Sequence, residues 1–174
     1  AIAKAAGQSE SDNLKEFLYE AAAPAGVSML IEGITDNTNR SYNEIRHLLG
    51  EFGSHMADQG SLAWNFEKIG ILHIAHEDNR DKSKETIEMS IIDAGANDFS
   101  TRQDGWIAET QFTQRERVRF DLETSGIKIR EDAYDYKPRS TVAIDAASKE
   151  RVEKLLEAIS EHDDVQEVYT NLAE

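Results

Sequence analysis

Ile34-Thr35-Asp36-Asn37-Thr38-Asn39-Arg40-Ser41 is where an apolar run stops and an amphipathic helix starts. Asp36, Asn37 and Asn39 can each bond neighbouring backbone, which suits a tight turn from strand to helix. Ser41 with Glu44 three residues on reads as a capping box that sets the helix start. Arg40 is then left at the mouth of the turn with its guanidinium free. To the left, Val27, Met29 and Ile31 alternate with Ser28, Leu30 and Glu32, so residues 27–34 read as a strand with one apolar face. To the right, Tyr42, Ile45, Leu48, Leu49 and Phe52 form one helical stripe, and Gly53 ends it as a left-handed stop. Leu62-Ala63-Trp64-Asn65-Phe66 follows as a strand with Leu62, Trp64 and Phe66 on a shared core face. This first block is β-α-β.

Further out, residues 71–75 read as a strand, and a helix over 84–94 buries Ile87, Ile91 and Ala94 and stops at Gly95. Strands near 98–103 and 106–112 meet at Asp104-Gly105, a strong hairpin signal. Thr113 with Glu116 reads as a second capping box, for a helix carrying Val118 and Leu122 and ending at Gly126. Ile127 and Ile129 open a strand that runs toward Tyr136 and halts at Pro138. The middle block is therefore β-α-β-β-α-β, the ferredoxin-like order. The last block is a strand at 141–144, a helix capped by Ser148 with Val152, Leu155, Leu156 and Ile159 on one stripe, and a strand at 165–169.

The first block lacks a second half and the last lacks a first half, so they complete each other around the middle one. The expected fold class is α+β: two ferredoxin-like βαββαβ-type domains, one inserted in the other. The expected boundaries are 17–68 plus 139–174 for the discontinuous domain and 69–138 for the inserted one. Residues 1–16 read as the remnant of a helical domain and a polar linker, since Ala1-Ile2-Ala3-Lys4-Ala5-Ala6 looks like a helix tail.

The chain has 174 residues, enough to bury roughly 70% of the unfolded surface. With no cysteine, disulfides and thiolate metal sites are excluded, which fits a reducing compartment. Neither a membrane span nor a secretory leader is expected. Lys and Arg number 19 against 34 Asp and Glu, a formal charge of −15. Nucleic-acid affinity comes largely from cations that neutralise phosphates, so this composition repels a polyanion and favours a protein partner or solubility.

The five histidines invite metal readings. His73 and His76 precede Glu77 and Asp78, but residues three apart on a strand face opposite sides, so a polar strand end is the better reading. His162-Asp163-Asp164 reads first as an Asx-bonded turn and second as a weak divalent site. No nucleophile elbow, P-loop or dinucleotide-binding loop is present. No catalytic residue, cofactor or metal is expected.

Four stretches, in order, resemble the YebC-like family of probable transcriptional regulators, which includes the mitochondrial translational activator of cytochrome oxidase. They are Thr35-Asp36-Asn37-Thr38-Asn39-Arg40, Gly60-Ser61-Leu62-Ala63-Trp64-Asn65-Phe66, Asp93-Ala94-Gly95-Ala96-Asn97-Asp98, and His162-Asp163-Asp164-Val165-Gln166-Glu167-Val168-Tyr169-Thr170-Asn171. The resemblance implies an N-terminal helical domain followed by two α+β domains, one nested in the other. It implies a non-enzymatic regulator of gene expression that meets DNA, RNA or the ribosome through the full-length protein, in the cytoplasm or, in a eukaryote, the mitochondrial matrix. The acidic stretch alone is expected to bind nucleic acid weakly, the missing basic charge lying in the helical domain. The family's glycine-rich turn before the first strand is reduced here to Pro24 and Gly26 within Ala21-Ala22-Ala23-Pro24-Ala25-Gly26. By position, Asn37, Asn39 and Arg40 are the candidate residues for polar contact with a nucleic acid or another partner; the same loop also reads as a turn and helix cap. The alternative function, from another class, is a small-molecule-sensing module of ferredoxin-like type.

Overall fold

A computed structural model describes residues 13–174. In chain order its elements are β1 (Lys15–Ala22), β2 (Ser28–Thr35), α1 (Thr38–Glu51), β3 (His55–Met56), β4 (Phe66–Ala75) and α2 (Lys84–Asp93). They continue with β5 (Asp98–Arg102), β6 (Gly105–Gln111), α3 (Arg115–Thr124), β7 (Glu131–Pro138), α4 (Ala146–Ser160) and β8 (Val165–Thr170). The fold is α+β, in two ferredoxin-like-type units. By internal contacts one unit comprises the described residues up to Phe66 with Pro138–Glu174, and the other Glu67–Lys137. Among the described residues no helix is long and apolar enough to cross a membrane.

The first unit has a sheet of order β3-β1-β2-β8. β1 and β2 run antiparallel, Lys15 opposite Thr35 and Ala22 opposite Ser28. Phe17, Ala21, Met29 and Ile31 from the sheet pack with Ile45 and Leu49 of α1 and Val152, Leu155 and Ile159 of α4. Each of the larger apolar side chains among them, once buried, contributes about 1.5–3 kcal/mol. β2 also pairs antiparallel with β8, and the register slips between Glu32 and Gly33. There the chain before β8 passes so close that a Cβ on Gly33 would stand 2.1 Å from the Asp164 carbonyl oxygen. Ile34 N–H donates to that same oxygen at 3.0 Å, which fixes Asp164 against the end of β2.

The second unit follows β-α-β-β-α-β, and its sheet has the order β5-β6-β4-β7. Leu72, Ile74, Trp106 and Ala108 from the sheet meet Ile87 and Ile91 of α2 and Val118 and Leu122 of α3. The Asp104-Gly105 turn joins β5 and β6 as read from the sequence, Arg102 opposite Gly105.

Several elements depart from the sequence reading. β1 was not foreseen: Lys15 and Glu16, placed in a linker, belong to a strand, and residues 1–12 of the supposed remnant lie outside the described residues. Residues 62–66 are not a strand. Ala63–Asn65 form a 3-10 turn, whose period near three rotates Trp64 away from Leu62 and Phe66. Trp64 is 69% exposed, whereas Phe66 is buried at the start of β4. The 141–144 strand shrinks to one parallel bridge between Val142 and Leu172, and Ile127 packs in the core before β7 begins.

Three helix starts also move. α1 is capped by Asn37, whose side chain accepts from Arg40 N–H, so Ser41 lies inside the helix and is fully buried. α3 starts after a 3-10 turn at Phe112–Gln114 with no side-chain cap, so Thr113 caps nothing. α4 is capped by Asp145, which accepts from the Ser148 N–H and hydroxyl.

Candidate functional site

The turn from β2 into α1 is built around a carboxylate 123 residues away from Ser41. Asp164 Oδ2 accepts from the Ser41 hydroxyl at 2.5 Å, from the Thr35 hydroxyl at 3.0 Å and from Arg40 Nη2 at 3.0 Å. Ser41 Oγ also lies 2.7 Å from Thr35 Oγ1, and Thr35 Oγ1 accepts from Asn37 N–H at 3.0 Å. Thr35 and Ser41 are buried, and the Asp164 side chain is 17% exposed. The Ser41 hydroxyl above all, with Arg40 and Thr35, holds the Asp164 carboxyl below its ordinary value against the opposing pull of partial burial.

The sequence-predicted residues take distinct places on this network. Asn37 gives its side-chain oxygen to the helix cap at 3.1 Å. Asn39 is exposed, and its carbonyl accepts from the Asn43 amide at 2.8 Å. Arg40, expected with a free guanidinium, is held through Nη2, which lies 2.8 Å from Asp36 and 3.0 Å from Asp164, while Nε is 4.0 Å from Glu44. The loop is thus an internal latch between β2, α1 and the entry to β8.

His162 extends the latch. Its Nδ1 accepts from Asp164 N–H at 3.2 Å, so the ring proton lies on Nε2 and is donated to Glu44 Oε2 at 2.9 Å. Glu44, His162 and Asp164 bring three ligand-type atoms within 4.8 Å of one another. The Arg40 guanidinium bonds Asp164 Oδ2 at 3.0 Å and lies 4.0 Å from Glu44 Oε2, so the chain itself sets a positive charge beside this cluster. His73 and His76 are directed apart. His73 Nε2 lies 3.2 Å from Asp104 Oδ2, and the His76 ring packs on Trp106 at 4.3 Å.

A second constellation escaped the sequence reading. Glu20, on β1, is only 5% exposed, yet its carboxylate accepts three backbone N–H groups of the 57–65 loop: Gly60, Leu62 at 2.7 Å and Ala63 at 2.8 Å. Burial pushes this carboxyl up, but the three N–H groups outweigh it and hold it below its ordinary value. The available signal was the alternation of Phe17, Tyr19 and Ala21, masked by the charges at Glu16 and Glu20.

Likenesses to other proteins accompany this geometry. Residues 14–172 match the family described as TACO1/YebC second and third domain. A probable transcriptional regulatory protein of Kosmotoga olearia is 39% identical over 98% of this chain and 67% of its own length. One from Thermoanaerobacter pseudethanolicus is 35% identical over 99% of this chain and 69% of its own. A crystal structure of a conserved hypothetical protein from Aquifex aeolicus superposes with a TM-score of 0.79 at 32% identity, covering 92% of this chain. This chain spans 65% of that protein's length.

Proposed function

The chain belongs to the TACO1/YebC family, and from that premise we propose that it is a non-enzymatic regulator of gene expression whose two units dock onto a partner of the transcription or translation machinery. The observation that carries the division of labour is Arg40. In the loop best placed to read a nucleic acid, the only arginine is bound to Asp36 and Asp164. The two carboxylates on its Nη2 offset the charge that this guanidinium would present to a phosphate. The charge of −15 adds a long-range penalty for any polyanion. Contact with DNA, RNA or the ribosome then runs through the full-length protein, and these units contribute recognition of a protein surface. The bacterial relatives favour the cytoplasm as the place of action.

Deleting the gene and comparing transcript levels with ribosome occupancy tests the reading. A defined set of genes should change in one or the other, and the level that changes assigns the step. Unaltered expression, or turnover of a substrate by the purified protein, would contradict it. The ligand-sensing alternative separates by thermal shift with amino acids and nucleotides, because a ligand bound only by the folded state raises Tm.

A further inference from the structure

The two helices of the second unit turn large apolar side chains outward as well as inward. Ile87 and Ile91 of α2 and Val118 and Leu122 of α3 are buried against the sheet. Met89 and Phe120 each lie two residues beyond a buried one, about 200° round a helix of 3.6 residues per turn, so they point away from the sheet. Met89 is 56% exposed, Phe120 66% and Ile92 of α2 55%. The helices lie side by side and antiparallel. A Cβ on Gly95, just past the end of α2, would stand 3.2 Å from Arg117 Nη2 in the first turn of α3. One on Gly126, just past the end of α3, would stand 3.5 Å from Lys82 Cε, just before α2. Counted from the first contact, Phe120 lies about 4.5 Å along at 1.5 Å per residue, level with Ile92. Counted from the second it lies about 9 Å along, level with Glu88. Phe120 therefore stands beside the stretch from Glu88 to Ile92, and Met89, Ile92 and Phe120 share one outward patch.

The rim of this patch is acidic. Glu85 and Asp93 stand one turn either side of Met89, and Glu123 one turn beyond Phe120; all three are exposed. Every cation of the two helices lies within ion-pair distance of another acid: Lys84 of Glu88, Arg115 and Arg119 of Asp132, Arg117 of Asp121. Among the described residues Glu85, Asp93 and Glu123 have no such partner.

We propose that this α2–α3 face docks a basic amphipathic helix of a protein partner, with its apolar stripe on Met89, Ile92 and Phe120 and its Lys or Arg against Glu85, Asp93 and Glu123. This rests on the reading above that these units recruit protein. Size and charge select the occupant. At about 150–250 Å² for a fully exposed side chain of aromatic size, the three present on the order of 300 Å². A stable dimer needs about 800 Å² from each partner, and two copies would bring the same acids face to face, so the occupant is not a second copy. One helix, with anchors at i, i+3, i+4 and i+7, matches a patch of this size. The unpaired acids attract its cations and repel the phosphates of a nucleic acid or an anionic bilayer.

The full chain is titrated by fluorescence anisotropy with three labelled probes: a short lysine–leucine peptide whose leucines fall at i, i+3, i+4 and i+7, a scrambled peptide of the same composition, and a single-stranded RNA oligonucleotide. The patterned peptide should bind more tightly than the scrambled one, and less tightly as salt rises. Phe120→Ser should weaken it about tenfold or more, as loss of an anchor does, with Tm unchanged because the ring is exposed. The Glu85→Gln, Glu123→Gln double variant should weaken it and flatten the salt dependence with the apolar patch intact. Equal binding by the two peptides, or unaltered binding by Phe120→Ser, overturns this surface alone. Self-association of the chain that Phe120→Ser abolishes puts a second copy in the partner's place and overturns the occupant. Tight RNA binding overturns the protein-recruiting reading beneath, whatever the peptides do.

Discussion

Asp164 does for the strand-to-helix turn what no residue of the turn can do for itself. Ser41 and Thr35 are buried hydroxyls beside it, and removing the carboxylate leaves both with fewer partners. Asp164→Ala should therefore cost about 1–3 kcal/mol, the penalty for leaving buried polar groups unsatisfied, measurable by urea unfolding. Arg40→Ala should cost much less, because its side chain is 43% exposed and exposed ion pairs contribute little. Glu20 and Asp164 also set the acid response. Both carboxyls lie below their ordinary values of 4.5 and 3.8 in the fold. Their stabilisation is complete above those ordinary values and is lost as pH falls through the lower folded ones. The Tm gap between the wild type and Glu20→Gln should be present at neutral pH and should narrow at about pH 3. None of this was legible locally. Asp164 was read within His162-Asp163-Asp164, whereas its partners come from the other end of the chain.

At the scale of elements, the caps and turns decide which sequence signals can be trusted. Asn37, read both as a candidate for partner contact and as part of a turn and helix cap, caps α1 with its side-chain oxygen. Asn37→Ala should lower stability by about 1 kcal/mol and leave binding of any partner unaltered once stability is matched. The β1–β2 connection turns at Pro24–Gly26, where Ala25 sits at φ 62°. An L-residue there is strained by roughly 1–2 kcal/mol, so Ala25→Gly should raise Tm, the relief exceeding the added chain entropy. The Asp104-Gly105 hairpin and the Leu155–Ile159 stripe were legible because turn chemistry and helical period are local. Trp64 was misplaced because three alternating apolar residues, Leu62, Trp64 and Phe66, imitate a strand while the backbone makes a 3-10 turn. Ser41–Glu44 and Thr113–Glu116 imitate capping boxes, but Asn37 and the Phe112–Gln114 turn start those helices first.

On the scale of the whole molecule, the second unit ties many of its cations to its own acids and the first unit ties few. In the first, Arg40 is held by Asp36 and Asp164, and Lys154 by Glu150. In the second, Arg115 and Arg119 share Asp132, Arg130 pairs with Asp78 and Glu77, and Lys137 with Glu109. Lys68 lies over the rings of Phe112 and Tyr134 at 4.3 and 4.2 Å. The nested order of strands was readable from the chain because an incomplete opening block and an incomplete closing block need each other; the register slip at Gly33 that brings Asp164 to Thr35 was not. The formal charge of −15 sets a net long-range repulsion against a bare polyanion. Fluorescence anisotropy of labelled single-stranded RNA and duplex DNA, titrated with this chain across a salt series, tests that most directly. The account predicts no saturable binding to either at about 0.15 M salt, where exposed charges are screened beyond roughly 8 Å. Tight binding that weakens steeply as salt rises would contradict it.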